Sequence, residues 1–124
     1  MMRHSRVYII IGVLSLLLLA SCGQRYEAKQ LVKAFVKEHA TEEIDISSFS
    51  DLDSTKNISD SIILVLRDKA KNDQLFKPDI QFTTERKDPT LLYIRLRFYL
   101  PDDTLEQSRT FYFDRDLTGI IAIK

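Results

Sequence analysis

Leu91-Leu92-Tyr93-Ile94-Arg95-Leu96-Arg97-Phe98-Tyr99-Leu100 decides the fold. Leu92, Ile94, Leu96, Phe98 and Leu100 share one parity, and Tyr93, Arg95, Arg97 and Tyr99 share the other. Side chains alternate across an extended chain, so the stretch is a β-strand with one apolar and one polar face. Pro101-Asp102-Asp103-Thr104 then turns the chain back. With Asp102 and Asp103 as the two loop residues, Phe98 faces Gln107, Ile94 faces Phe111, Leu92 faces Phe113, Tyr93 faces Tyr112 and Arg97 faces Ser108. A slip of one residue sets Phe111 and Phe113 among the arginines, so the two-residue register is expected.

Working outward, Ile80, Phe82 and Thr84 alternate with polar residues and predict a preceding strand, joined through the turn Lys87-Asp88-Pro89-Thr90. On the far side, Asp114 to Gly119 turns into a last strand, Ile120 to Ile123. The N-terminal half has the helical period instead. Ala28, Leu31, Val32, Phe35 and His39 recur at three- and four-residue steps within Gln24 to Ala40, with Lys29, Lys33 and Lys37 on another stripe. Ile44-Asp45-Ile46 suggests a short strand, and Asp51 to Thr55 a turn. A second helix is expected from Ser59, its hydroxyl capping the first turn, with Ile58 stapled to Ile63 and an apolar side of Ile62, Leu66 and Ala70 widened by Ile63 and Val65.

These elements predict an α+β domain in which two helices pack on the apolar face of a curved, four- to five-stranded antiparallel sheet. The arrangement resembles the cystatin-like and nuclear-transport-factor-like folds. The segments Phe49 to Thr55 and Phe111-Tyr112-Phe113-Asp114 to Ile120 are similar to those of uncharacterised small lipoproteins of gut-type Gram-negative bacteria. That resemblance implies no known activity.

The N-terminus carries a different signal. Arg3 and Arg6 precede an apolar run, Val7 to Leu19, which ends in Leu19-Ala20-Ser21-Cys22. Thirteen helical residues rise about 20 Å, short of a ~30 Å hydrocarbon core, so a permanent membrane span is disfavoured. The pattern resembles a bacterial lipoprotein signal peptide with its lipobox. The resemblance implies cleavage before Cys22, acylation of that cysteine, and a membrane anchor. Residues 1–21 are then the signal and 22–124 a single domain. Gly23 replaces the aspartate associated with inner-membrane retention, and no acidic run comes after Cys22. The expected location is the outer membrane, facing the periplasm.

Composition narrows the chemistry. The 124 residues carry 18 basic and 18 acidic side chains, and losing Arg3 and Arg6 leaves the domain at −2. Such a mixed, near-neutral chain does not advertise a nucleic-acid partner. Cys22 is the only cysteine, so no disulfide crosslinks the domain. His39 is the only histidine after the signal, which leaves little material for a transition-metal site. Asp51-x-Asp53-x-Thr55 and Asp114-x-Asp116-x-Thr118 depart from calcium-loop spacing and read as polar turns. No cofactor is called for.

The constellation that stands out is the polar strand face: Tyr93, Arg95, Arg97, Tyr99, Tyr112 and Ser108. Tyrosine and arginine combine contact area with directional hydrogen bonds. The alternative for that face is a solvated surface, with Arg95 and Arg97 paired to Glu85 or Glu106. Gln107 and Arg109 lie towards the open end of the apolar face. The sequence therefore suggests a lipid-anchored binding module, its partner being an envelope protein or a small ligand. The rival is a small enzyme using His39 and an unidentified acid. Cys22→Ser is expected to abolish labelling by a tagged fatty acid and to retain residues 1–21, as read by intact mass; an unlabelled wild-type chain contradicts the anchor.

Overall fold

A computed structural model describes residues 22–124, so the signal segment 1–21 lies outside the described residues. The first helix, α1, covers residues 22–39. Strands β1 (Asp45–Phe49) and β2 (Asp53–Thr55) come next, then helix α2 (Asp60–Lys71) and strands β3 (Leu91–Tyr99), β4 (Gln107–Asp114) and β5 (Ile120–Ile123). The sheet is antiparallel, in the order β1-β3-β4-β5, with β2 also paired to β3. The architecture is α+β, and no described helix is long and apolar enough to cross a membrane.

The β3–β4 register is the expected one: Leu92 faces Phe113, Tyr93 Tyr112, Ile94 Phe111, Arg97 Ser108 and Phe98 Gln107. The connection is longer than two residues, because the strands stop at Tyr99 and Gln107. Its turn centres on Pro101 and Asp102, with the Asp103 amide donating to the Leu100 carbonyl at 3.1 Å and Asp102 at φ 61°. Proline fixes φ at its own position, so the left-handed residue comes after it.

Ile94, Leu96, Phe98, Phe111 and Phe113 are fully buried on one face, together with Ala28, Val32 and Val36 of α1. Phe35 of α1 packs among Phe76, Phe82 and Phe111 at ring separations of 5.9, 5.9 and 6.3 Å. At its N-terminal end, α1 is tied to β1 by Arg25, which donates to the carbonyls of Phe49 and Ser50 at 3.1 and 3.2 Å. The Ser50 amide points inward to the Arg95 carbonyl at 2.9 Å. In a trans peptide the preceding carbonyl points the opposite way, so Arg25 occupies an outward-facing group of the β1 edge.

Two expectations are corrected. The segment from Ile80 to Glu85 keeps its alternation, with Ile80 buried and Phe82 and Thr84 half-buried, yet it joins no ladder. Both edges of β3 are already taken, by β1 and β2 on one side and β4 on the other. Residues 53–55, expected as a turn, fill that place as β2.

The second correction concerns α2, which meets the apolar face only at its C-terminal end, where Ala70 joins the core under α1. Ser59 caps it, accepting from the Ile62 amide at 3.3 Å, and Ile58 packs against the cluster to which Ile63 belongs. Its buried side is Ile63, Leu66 and Ala70, while Ile62 is exposed. Ile63 and Leu66 cluster with Leu91, Tyr112, Ile121 and Ala122 on the opposite face of the sheet, at the β5 end. A bulge between Tyr112 and Phe113 shifts the β4–β5 register and allows Ile121 and Ala122 to share that cluster. Arg67 then closes the β5 edge. Its guanidinium donates to the carbonyls of Ile121 and Thr84, each at 2.8 Å, and to Glu85 at 3.2 Å.

The turn into β5 is built on Asp114, the one buried charged side chain among the described residues. Its carboxylate accepts from the Thr118 amide and hydroxyl at 2.8 and 2.6 Å and from the Gly119 amide at 3.1 Å. A methyl group at Gly119 would overlap the hydroxyl of Thr84, whose carbonyl Arg67 holds in place. Gly119→Ala is expected to cost about 1–3 kcal/mol in denaturant unfolding, as overpacking does, and adding Thr84→Ala should recover most of the loss.

Candidate functional site

The polar parity of β3 and its neighbours forms rows across the sheet. One row is Asp53, Tyr93, Tyr112 and Ala122. The next is Ser50, Arg95, Thr110 and Lys124: Arg95 pairs with Thr110, Thr110 exchanges two 2.8 Å backbone bonds with Lys124, and the Arg95 amide donates to the Ser50 hydroxyl at 2.8 Å. The third is Ser48, Arg97 and Ser108. Neighbouring strands lie about 4.8 Å apart, so adjacent members of a row are in reach of one small ligand.

These rows floor a groove of about 640 Å³, lined by Tyr93, Arg95, Arg97, Tyr112, Ser108, Thr110 and Lys124, with Ser50, Asp51, Asp53, Thr55 and Ile58 along the β1–β2 side and the approach to α2. Tyr93 and Tyr112 make a tilted aromatic pair, centroids 5.9 Å apart, at one end. Arg95 and Arg97 are exposed. The expected pairs with Glu85 and Glu106 do not form: Glu85 takes Arg67, and Glu106 accepts from Ser47 at 3.0 Å. Among the described residues, ion pairs within 4.0 Å engage Arg67, Arg86, Lys87, Arg109, Arg115 and His39, and none engages Arg95, Arg97 or Lys124.

The structure thus brings together Tyr93, Arg95, Arg97, Tyr112 and Ser108. It leaves out Tyr99, which lies opposite Asp45 at the far end of β3 and does not line the groove. Gln107 and Arg109 belong to a separate hollow of about 390 Å³, with Asp73 and Leu100. Arg109 is not free there. It makes a two-pronged contact with Asp73 at 2.8 and 3.3 Å and lies over the Phe98 ring at 5.7 Å. Burial raises the Asp73 carboxyl, but the hydrogen bonds from Arg109 and the Leu75 amide outweigh it and hold the group below its ordinary value. This is a clasp between β4 and the end of α2.

His39 ends α1 with its ring tilted 44° against that of Phe35, centroids 4.4 Å apart, and Nε2 3.7 Å from the exposed Glu38 carboxylate. That distance is beyond a hydrogen bond, and the contact is a loose surface one. Cys22 is exposed with a free thiol. Among the described residues, no three His, Cys, Asp or Glu side chains converge in a manner that could hold a metal ion.

Thr110 was legible in principle, since the register that sets Tyr93 against Tyr112 also sets Thr110 against Arg95, whereas Lys124 depends on the bulged β4–β5 pairing. Asp51 and Asp53 were not. They reach the groove only because residues 45–55 pair with β3, a long-range contact without a local sequence signal. No family model, curated protein or solved structure matches the chain.

The groove also leaves a spectroscopic mark. Burial, then the neighbouring Tyr93, pushes the Tyr112 phenol above its ordinary 10.0, while Arg95 pulls it down. The folded state therefore holds that proton more tightly than the unfolded chain. The stability this contributes is full below pH 10.0 and is lost as pH climbs through the raised value. In an alkaline absorbance titration, Tyr112→Phe should remove a late-ionising tyrosine, and Arg95→Ala should delay it further.

Proposed function

We propose that the chain is a lipid-anchored protein of the cell envelope, held by acylated Cys22 in the outer membrane and facing the periplasm, whose domain binds a ligand on the polar face of its sheet without transforming it. The observation that carries the binding part is the groove itself: a concavity with two tyrosines, several hydroxyls and cations that have no carboxylate partner within 4.0 Å among the described residues. Cationic side chains left free in a concave site are available to a ligand, whereas paired ones such as Arg67 and Arg109 are already satisfied.

Support for the anchor comes from the residues on both sides of Cys22. Before it stands the lipobox-like run, and after it Ala28 is already fully buried, six residues on, or about 9 Å along a helix. The domain thus begins beside its anchor point. A cystatin-like assignment is favoured by a long helix lying across the apolar face of an antiparallel sheet. The placement of α2 at the β5 edge is this chain's own variation on it.

The test is crosslinking in intact cells from a photoreactive residue at Thr55, on the groove wall. Adducts should form with the wild-type groove, fall at least severalfold with Arg95→Ala/Arg97→Ala, and persist with His39→Ala. Adducts indifferent to the arginines, or lost with His39→Ala, overturn the binding reading.

A further inference from the structure

Resting on the groove as a binding site, we infer that its ligand is a zwitterion carrying a phosphate and an ammonium group, such as a phosphoethanolamine. The groove holds charges of both signs, segregated by strand. Arg95 and Arg97 come from β3, and Asp51 and Asp53 from the β1–β2 side. Among the described residues, no cation of the groove lies within 4.0 Å of either aspartate. Opposite charges lining one concavity without neutralising each other leave both free to engage a ligand. A simple anion would meet the arginines but also face two carboxylates, and a simple cation the reverse. A molecule with an anion and an ammonium a few bonds apart matches both sides at once.

The donor count selects phosphate as the anion. Two guanidinium groups, together with the Ser108 and Thr110 hydroxyls of β4, offer more donors than the two oxygens of a carboxylate can use, and the four oxygens of a phosphate mono- or diester suit them better. The ammonium then lies towards Asp51 and Asp53. Asp53 already accepts from the Ser54 amide at 2.8 Å, which orients one oxygen and leaves the carboxylate's charge on the groove side.

The experiment is calorimetric titration of the full-length protein in a nonionic detergent with O-phosphoethanolamine, inorganic phosphate and ethanolamine. O-phosphoethanolamine should bind about fivefold tighter than either half, the ratio that one exposed ion pair supplies. Asp51→Asn/Asp53→Asn should erase the difference, so that O-phosphoethanolamine binds that variant no tighter than phosphate does, and Arg95→Ala/Arg97→Ala should abolish binding of both. These side chains are exposed, and unchanged circular dichroism confirms that each variant is folded. Competition by dihexanoyl phosphatidylethanolamine identifies a lipid headgroup as the source, and its failure to compete identifies a free phosphomonoester; either outcome supports the zwitterion. Phosphate binding as tightly as O-phosphoethanolamine, or no effect of the aspartate substitutions, overturns it while leaving an anion-binding groove. Failure of all three probes, with crosslinks in cells still dependent on Arg95 and Arg97, overturns this inference alone.

Discussion

Strand β3 carries hydrogen-bonded neighbours on both edges, so the sorting of its side chains by parity governs every other placement in the domain. Its even-numbered residues from Ile94 to Phe98 have no exposure, and they demand a cover that α1 and the Phe76–Phe82 segment provide. Its odd-numbered residues divide into two zones. Leu91 and Tyr93 lie under α2, and beyond them Arg95 and Arg97 are open to solvent. The groove is therefore the portion of the second face that α2 does not reach. The open groove and the packed face are separated along one strand, with Tyr93 and Tyr112 at the boundary between them.

Much of this was legible from residues 91–114, because a hairpin with alternating apolar and polar residues specifies its own register. The single-slip penalty applied to Phe111 and Phe113 was enough to settle the pairing. The helix from Ser59 was legible for a comparable reason: its cap and staple are local chemistry. Its direction of burial was not. Ile62, Ile63, Leu64 and Val65 are all apolar, and periodicity alone does not choose between Ile62 and Ile63 when four consecutive residues qualify. Only the neighbouring β5, with Ile121 and Ala122 on one face, makes the choice.

The segment 80–85 illustrates a different limit. Its alternation is real and its burial obeys it, but a strand also needs a partner edge, and edges are a property of the whole sheet. The same limit hid half of the groove. The face of β3 was visible from parity, whereas its acidic wall depends on where residues 45–55 pair. Tyr99 fails as a groove residue because parity places it on the right face and says nothing about distance along the strand. Arg109 fails because Asp73, thirty-six residues away, satisfies it.

Two edge strands of the sheet each have a carbonyl held by a guanidinium: Ile121 of β5 by Arg67, and Phe49 of β1 by Arg25. A strand adding at either of those carbonyls would have to displace a charge-assisted bond. For a chain tethered to a bilayer, as proposed, this has a particular importance. Tethering confines molecules to two dimensions, where neighbours with parallel orientation collide edge to edge far more often than in free solution. For molecules held in that way, Arg25 and Arg67 oppose strand pairing between neighbours at the Phe49 and Ile121 carbonyls.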